Sequence, residues 1–303
     1  MPSTQAKFAT KLVKILLANW FQGTLEDQRK RNEASTRFIP KNTQITEKPW
    51  ALDYLQGSWF IPKTLTYPHR AILYFHGGAY ALGSVKGLRD LIGRLAQVCE
   101  VSVLAIDYRL APENPFPAAL DDALVTWNWL LAQGWLPSNL LLAGDSAGGG
   151  LALATALGLR DQGMALPAGI VGFSPWLDLT LSGPSIRRRV DKDPYLKAEP
   201  LAQCAGYYAT NGSLDHPLVS PLFADPKGLP PVLFHSGRND ILLDDTRRFT
   251  YLARKAGVKA SMEIYTGLFH VFQTLGFLPE TIHSLNQVAE FFDGLSGVHQ
   301  SLL

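Results

Sequence analysis

The chain has 303 residues and a net charge of +2, so its charge gives no reason to expect nucleic acid or an acidic protein as a partner. Hydrophobic residues make up 47% and charged residues 18% of the sequence, which is typical of a globular protein with a large core. No apolar run is long enough to cross a bilayer, and two cysteines, Cys99 and Cys204, give no disulfide framework, so we expect a cytoplasmic protein without stable membrane insertion.

The N-terminal region is predicted to form one helix followed by a loop. Residues 8–30 carry apolar side chains at the spacing of an amphipathic helix: Leu12, Val13, Leu16, Leu17 and Trp20. Residues 29–48 are polar and charged, and this composition favours a loop.

The rest of the chain alternates between apolar strands and helices. Strands are predicted at 58–61, 71–75, 101–106, 140–143, 169–174, 232–236 and 261–265. Helices are predicted at 88–98, 115–132, 149–157, 245–256 and 280–292. The alternation indicates an α/β fold in which helices cover both faces of a mostly parallel sheet. Residues 179–223 interrupt it with a helical patch near 200–209, and an insertion of this length is predicted to form a lid.

One serine stands on a predicted turn between a strand and a helix. Ser146 lies in the sequence Gly-Asp-Ser-Ala-Gly, directly after the strand at 140–143. A serine on such a sharp turn is held over the carboxyl end of the sheet, where a base can reach its hydroxyl. The backbone N–H of Ala147 then lies at a helix N-terminus, where it can donate to an oxyanion. The motif predicts that Ser146 is the nucleophile of an acyl transfer.

A second motif, His-Gly-Gly-Ala-Tyr at 76–80, follows the strand at 71–75. Glycines let the backbone approach a substrate oxygen closely, so we expect the N–H groups of Gly77 and Gly78 to complete an oxyanion hole. His76 lies inside this turn, and we expect it to order the loop through hydrogen bonds rather than to act as the base.

The general base is expected on a different loop. His270 follows the last predicted strand, at the sheet edge where open α/β sheets place their chemistry. His235 lies within a strand and is expected to be structural, and His299 lies near the chain end.

The acid that orients the base is expected at a neighbouring strand end. Asp240 follows the strand at 232–236 and is the favoured candidate. Asp244 and Asp245 are rivals that suit the start of the next helix, and Asp178 is another rival. With Asp240, the chain order of the three groups is serine, acid and histidine, as in α/β hydrolases.

These motifs together resemble the hormone-sensitive-lipase-like esterases, also called bacterial family IV. The resemblance covers most of the chain and rests on the motifs at 76–80, 107–113, 115–117, 144–149, 240–242 and 267–270. It implies one α/β-hydrolase domain over residues 1–303, with a helical cap from about 1–45 and 180–225. Ala79 is a departure, because many members have a third glycine there. Glu113 either anchors its proline-rich loop or is a plain surface carboxylate.

The resemblance also implies an activity. It implies a carboxylesterase that acts on small, short- to medium-chain acyl esters, with Ser146, Asp240 and His270 as catalytic triad. The oxyanion donors carried over are Gly77, Gly78 and Ala147. No metal or organic cofactor is expected. Members of the family often pair through the last strand, so the strand at 261–265 predicts a possible homodimer contact.

Three alternatives stay open at this point. The same triad could hydrolyse amides or peptides, although the chain has no room for a large gating domain. Some relatives in the superfamily are small-molecule receptors with an incomplete triad, whereas all three positions are filled here. Lipase action at a lipid interface is the third alternative, with Trp20 and Phe21 touching the interface.

Overall fold

The fold is an eight-stranded sheet with helices on both faces. The computed structural model describes residues 1–17, 21–39, 41–194, 196–210 and 212–296. The strands are β1 Ile45–Leu52, β2 Leu55–Pro62, β3 Ala71–Phe75, β4 Ser102–Asp107, β5 Leu140–Asp145, β6 Gly169–Phe173, β7 Val232–Gly237 and β8 Ala260–Tyr265. Their order is β1-β2-β4-β3-β5-β6-β7-β8. Strand β2 pairs antiparallel with β1 and β4, and the remaining pairs are parallel. The predicted α/β class with a mostly parallel sheet is confirmed.

Helices pack on both sides of this sheet. In chain order they are α1 Thr4–Leu16, α2 Leu25–Ser35, α3 Val85–Cys99, α4 Ala118–Ala132, α5 Ala147–Asp161, α6 Pro184–Arg188, α7 Ala198–Tyr208, α8 Leu243–Lys255 and α9 Pro279–Ser296. Successive side chains of a strand point to opposite faces. In β3, Leu73 and Phe75 join the core under α4 and α5, whereas Ile72 and Tyr74 join the core under α3 and α9. The strands are therefore apolar on both faces.

The N-terminal region differs from its prediction. Instead of one helix over 8–30, α1 ends at Leu16 and α2 begins at Leu25. Thr24 starts the second helix, because its hydroxyl accepts the N–H of Asp27 while the Asp27 carboxylate accepts the N–H of Thr24. Trp20 lies outside the described residues.

The predicted loop at 29–48 is wrong at both ends. Residues up to Ser35 continue α2, and β1 begins at Ile45. Strand β1 forms one edge of the sheet and pairs only with β2 in the described sheet, so most of its side chains are exposed and polar residues are tolerated there. The remaining predicted strands and helices appear with shifted ends, such as α4, which begins at Ala118 rather than at residue 115.

Two further expectations concern membrane crossing and the two cysteines. Among the described residues there is no helix of the length and apolarity that a bilayer crossing requires. Cys99 and Cys204 are both buried and both free.

The interrupting segment holds the short helix α6 and the longer helix α7, and its assignment to a cap stays a prediction. Strand β8 lies at the other edge of the sheet, where the expected homodimer contact also stays a prediction.

Candidate active site

The turn after β5 holds Ser146 in an unusual backbone conformation, with φ of 53° and ψ of −121°. Its N–H donates to the carbonyl of Phe173 at 2.9 Å, and its own carbonyl accepts the N–H of Trp176 at 2.9 Å. A Cβ atom on Gly148 would lie 2.0 Å from the carbonyl oxygen of Phe75, and one on Gly144 would lie 2.3 Å from the carbonyl oxygen of Gly148. The turn therefore requires glycine at both flanking positions, and neighbouring strands fix the serine.

Asp240 and His270 meet at the same edge of the sheet. The Nδ1 atom of His270 lies 3.0 Å from Oδ2 of Asp240, and both side chains are buried. The other carboxylate oxygen of Asp240 accepts the N–H of Leu242 at 2.8 Å. An Nδ1–H that donates to a carboxylate leaves Nε2 unprotonated on the neutral ring, which is the tautomer that a general base needs.

The loops that carry these two residues are joined through their backbones. The N–H of Arg238 donates to the carbonyl of Tyr265 at 2.9 Å, and the N–H of Asn239 donates to the carbonyl of Leu268 at 2.8 Å. These bonds extend the pairing of β7 and β8 past the ends of the strands. The spacing between acid and base is therefore set by main-chain hydrogen bonds and not by side chains alone.

The environment of His270 favours its protonated form. Burial by itself lowers its pKa, but the charge of Asp240 and the hydrogen bond to it, with weaker contributions from Asp193 and Asp145, outweigh burial. The net result is a pKa above the ordinary value of 6.5. A base with a raised pKa accepts a proton more readily, at the cost of activity at low pH.

The rival acids have other partners. Asp244 accepts the N–H of Ser185 at 2.8 Å, and Asp245 accepts the N–H groups of Leu177 and Asp178 at 2.9 and 3.0 Å. Asp178 forms an ion pair with Arg248 at 2.8 Å and accepts the N–H groups of Thr180 and Ser182. Asp245 lies in the first turn of α8, and burial together with the charge of Asp178 holds its pKa well above the usual range. Of these four carboxylates, Asp240 is the one bonded to His270.

The other candidate histidines have structural contacts. The Nδ1 atom of His76 lies 2.7 Å from the carbonyl oxygen of Gly77, and its ring stacks on Tyr108 with 4.4 Å between centroids. The Tyr108 hydroxyl also donates to the His76 carbonyl at 2.7 Å. His235 bonds Ser284 at 2.7 Å, and burial lowers its pKa to about 3. His299 lies outside the described residues.

The loop after β3 contains Gly77, and the hydrogen bond made by its N–H does not fit the predicted role of oxyanion donor. The N–H of Gly77 donates to Oδ1 of Asp145 at 2.9 Å, so it is already engaged and is not available to an oxyanion. Gly78 and Ala79 both have positive φ angles, of 125° and 54°, and both line the cavity above Ser146. No hydrogen bond from the N–H of either residue is found in the described part of the chain. Gly78 and Ala79 therefore fit the place of a backbone donor in this loop better than Gly77 does.

Asp145, inside the serine motif, is the first of several residues whose part in the site was not predicted. Its Oδ1 atom accepts both the N–H of Gly77 and the hydroxyl of Tyr74, the latter at 2.8 Å. Burial raises the pKa of this carboxyl, against the hydrogen bond from Tyr74 and the charge of His76. Asp145 therefore ties the loop after β3 to the turn that holds Ser146.

Two further residues support the loops of Asp240 and His270. The hydroxyl of Ser174 accepts the N–H of Val271 at 3.1 Å. The carboxylate of Asp193, which lies in the interrupting segment, accepts the N–H of Ile241 at 3.3 Å. The position of Ser174 at the end of β6 is a signal that sequence reasoning could have used, whereas nothing in the sequence indicates where Asp193 lies.

Arg29 joins the N-terminal region to the loops beside the site. Its guanidinium donates to both carboxylate oxygens of Glu113 at 2.6 and 2.8 Å and to the carbonyls of Ala81 and Ala111 at 2.9 and 2.8 Å. The hydrogen bonds from Arg29 lower the pKa of Glu113 to about 2. Of the two open interpretations of Glu113, the structure favours the anchor.

A cavity of about 300 Å³ lies above these groups. Its polar part includes Ser146, His270 and Asp145. Its apolar part comes from α3 and α7, from segments next to α1, α2, α3 and α7, and from the loop after β8, namely Leu17, Phe21, Leu82, Leu88, Leu196, Leu201 and Val271. Among the described residues there is no group of three side chains that could hold a metal ion. A serine hydroxyl, a histidine hydrogen-bonded to an aspartate and an apolar wall are thus in one small space, an arrangement that suits acyl transfer.

Comparison with known proteins finds esterases and an acetyl-hydrolase among the relatives of this chain. A family profile described as alpha/beta hydrolase fold matches residues 72–274. An esterase of Acinetobacter venetianus is 38% identical over 261 residues, which are 86% of this chain and 86% of that protein. An acetyl-hydrolase of Streptomyces hygroscopicus is 41% identical over 229 residues, which are 75% of this chain and 77% of that protein. A crystal structure of an esterase from the bacterial hormone-sensitive lipase family, 34% identical, matches with a TM-score of 0.91 and covers 96% of this chain and 98% of that one.

The fold and the comparisons together define the class of this protein as an α/β hydrolase. The chain belongs to the hormone-sensitive-lipase-like family of α/β-hydrolase esterases and is a carboxylic ester hydrolase. The predicted family and enzyme class are confirmed, and the receptor alternative finds no support in them.

Proposed function

We propose that this esterase cleaves short- to medium-chain acyl esters through an acyl-enzyme formed on Ser146. His270 acts as the general base, and Asp240 orients its ring and stabilises the imidazolium. The observation that carries the proposal is the 3.0 Å hydrogen bond from His270 to Asp240, made beside a cavity that Ser146 also lines. The roles of all three residues rest on this geometry and on the order in which they occur in the chain.

The reaction has two half-reactions with the same proton shuttle. Ser146 Oγ attacks the ester carbonyl carbon while its proton passes to Nε2 of His270. The C–O bond to the alcohol then breaks, and the alcohol leaves with that proton. Water next attacks the acyl carbon, gives its proton to His270 and releases the carboxylic acid, and Ser146 takes the proton back.

The negative charge of each tetrahedral intermediate needs backbone donors. Ala147 is the first residue of α5, so its N–H has no partner within the helix. We assign the oxyanion hole to the N–H groups of Gly78, Ala79 and Ala147, with Gly77 in a supporting position. Two of these three residues, Gly78 and Ala147, agree with the sequence prediction.

The size of the acyl group is set by the helices over the cavity. We assign helices α1, α2, α6 and α7 to the predicted cap. Both parts of this cap line the cavity, through Leu17 and Phe21 between α1 and α2 and through Leu196 and Leu201 before and within α7. A cavity of about 300 Å³ lies at the lower end of the range for small-molecule sites. Short and medium acyl chains fit such a volume better than long ones.

Hydrolysis of p-nitrophenyl esters from acetyl to palmitoyl tests this assignment. We expect kcat/KM to be highest for short to medium chains and to fall for long ones. Leu201→Ala removes part of the apolar wall and enlarges the cavity. It should raise kcat/KM for longer chains relative to acetate by about tenfold, since each methylene in such a pocket changes kcat/KM by about that factor. Leu201→Ile is the matched control with conserved volume. A profile that is flat, or that Leu201→Ala leaves unchanged, would contradict the proposed acyl site.

Asp145 is expected to position the oxyanion loop. Asp145→Ala leaves the N–H of Gly77 and the hydroxyl of Tyr74 without their acceptor, so the donors at Gly78 and Ala79 lose alignment. We expect kcat to fall by about 100-fold, the usual effect of losing one oxyanion donor, with KM nearly unchanged.

Asp145→Asn is the control for this prediction, because its amide oxygen can accept the same two hydrogen bonds. Steady-state kinetics should show most of kcat restored in Asp145→Asn. Full activity in a folded Asp145→Ala variant, or equal damage in both variants, would exclude the positioning role.

A further inference from the structure

Helix α1 is packed against the protein on one side. Its small residues Ala6, Ala9 and Val13 are buried. They join a cluster with Tyr265, Leu268, Phe269, Phe272 and Leu278. Ser3 fixes the start of the helix, because its N–H and its hydroxyl donate to the Glu280 carboxylate at 2.7 and 2.9 Å. The orientation of α1 is therefore set by its own contacts.

Another side of α1 carries large apolar residues that face solvent. Phe8, Leu12, Ile15 and Leu16, here called the α1 apolar stripe, are 64%, 38%, 75% and 69% exposed. Their spacing of four, three and one residues places them along one side of the helix. Single exposed apolar residues need no explanation, but an aligned set of this size marks an interaction surface.

Lysines border the stripe. Lys7, Lys11 and Lys14 each directly precede a stripe residue, and α1 contains no aspartate or glutamate. All three lysines are exposed, and none of the ion pairs found in the described residues includes them. An apolar stripe bordered by cations fits a surface that offers hydrocarbon and negative charge together.

The stripe leads to the active-site cavity. Leu17, directly after α1, lines this cavity, and so does Phe21. A neighbouring groove is lined by Lys14, Leu17 and Phe21 as well as by Lys197 and Glu199. A surface in contact with the stripe would therefore lie beside the entrance for substrate.

We propose that the α1 apolar stripe docks this esterase on anionic lipid surfaces without crossing them. Phe8, Leu12, Ile15 and Leu16 enter the boundary between headgroups and acyl chains, and the lysines pair with the anionic headgroups. Esters dissolved in the surface then reach the cavity past Leu17 and Phe21. The docking does not depend on the catalytic roles proposed above.

The charges favour a lipid surface over a second copy of this chain. A two-fold contact between two α1 stripes would bring the lysine rows of both copies together, with no acidic residue on α1 to compensate. An anionic membrane supplies the opposite charge across its whole area.

Co-sedimentation of the 303-residue chain with vesicles tests the docking. We expect binding to vesicles of phosphatidylglycerol and phosphatidylcholine, weak binding to phosphatidylcholine alone, and release at about 0.5 M salt, where charges are screened. The triple variant Lys7→Gln, Lys11→Gln, Lys14→Gln should lose about 100-fold in partitioning, since each basic residue contributes about fivefold at an anionic surface. The double variant Phe8→Gln, Ile15→Gln should lose at least about tenfold.

Controls separate docking from catalysis and from folding. The double variant Leu136→Gln, Tyr251→Gln removes apolar residues that are 59% and 67% exposed elsewhere, and should bind as the wild type does. All these variants should hydrolyse a dissolved acetate ester at the wild-type rate, and Ser146→Ala should still bind vesicles. The proposal would be overturned if the wild-type protein did not bind anionic vesicles, or if the α1 variants bound them as the wild type does. A wild-type dimer that the double α1 variant converts to monomer would assign the stripe to a second copy instead.

Discussion

Ser146→Ala is expected to lower kcat for ester hydrolysis by about a million-fold and to leave the fold intact. The alanine adopts the same strained turn but offers no nucleophile, so the remaining rate comes from binding and the oxyanion donors. Ser102→Ala is the matched control, because Ser102 is buried in β4 and is not among the described residues that line the cavity.

His270→Ala is expected to cost about as much as Ser146→Ala. The double variant should be no worse than either single variant, because serine and histidine act as one unit and their losses do not add. Steady-state rates of the three variants provide the test. Additive losses would show that the two residues act in separate steps, and a Ser146→Ala enzyme that keeps most of its activity would exclude the proposed nucleophile.

Asp240→Asn has the second largest expected effect. The amide no longer holds the base in the tautomer with Nε2 unprotonated, so kcat should fall by about 10,000-fold. The residual activity should also respond differently to pH. The base must be neutral to work, so activity is present above the pKa of His270 and is lost as the pH falls through it.

The sign of the pH shift follows from the causes of the raised pKa. In the wild type the acidic limb of kcat/KM should lie above pH 6.5, because Asp240 raises the pKa of His270 against the effect of burial. In Asp240→Asn the charge is absent, so burial lowers the pKa of His270. The acidic limb of kcat/KM should therefore move to lower pH. Asp244→Asn, at a carboxylate bonded to Ser185, is the control and should leave the limb in place. An Asp240→Asn profile with the limb at the wild-type pH would contradict the pairing.

Local patterns in the sequence account for most of the central sheet. Strands such as β3 and β5 are continuous apolar runs because helices cover both their faces, so periodicity and length identify them. Strand β1 has no such signal, since an edge strand exposes most of its side chains. The break between α1 and α2 also depends on a local cap at Thr24, which a continuous apolar pattern conceals.

The placement of the candidate site was predictable where its residues come shortly after strands. Ser146, Asp240 and His270 each come shortly after a strand of the parallel sheet, so topology alone brings them to one edge. The error at Gly77 has a different origin. Glycine at that position indicates close packing, but whether its N–H faces a substrate or the Asp145 carboxylate depends on a contact 68 residues away in the chain. The contact of Asp193 with Ile241 is likewise set by tertiary structure.

Covalent labelling tests the central claim most directly. The intact enzyme is treated with a phosphonate ester that phosphonylates activated serines, and the adduct is located by peptide mass spectrometry. We expect one adduct, on the peptide that contains Ser146, formed in step with the loss of esterase activity. The adduct should be absent in Ser146→Ala and form far more slowly in His270→Ala. Inactivation with the adduct on another residue, or with Ser146 unmodified, would contradict Ser146 as the nucleophile.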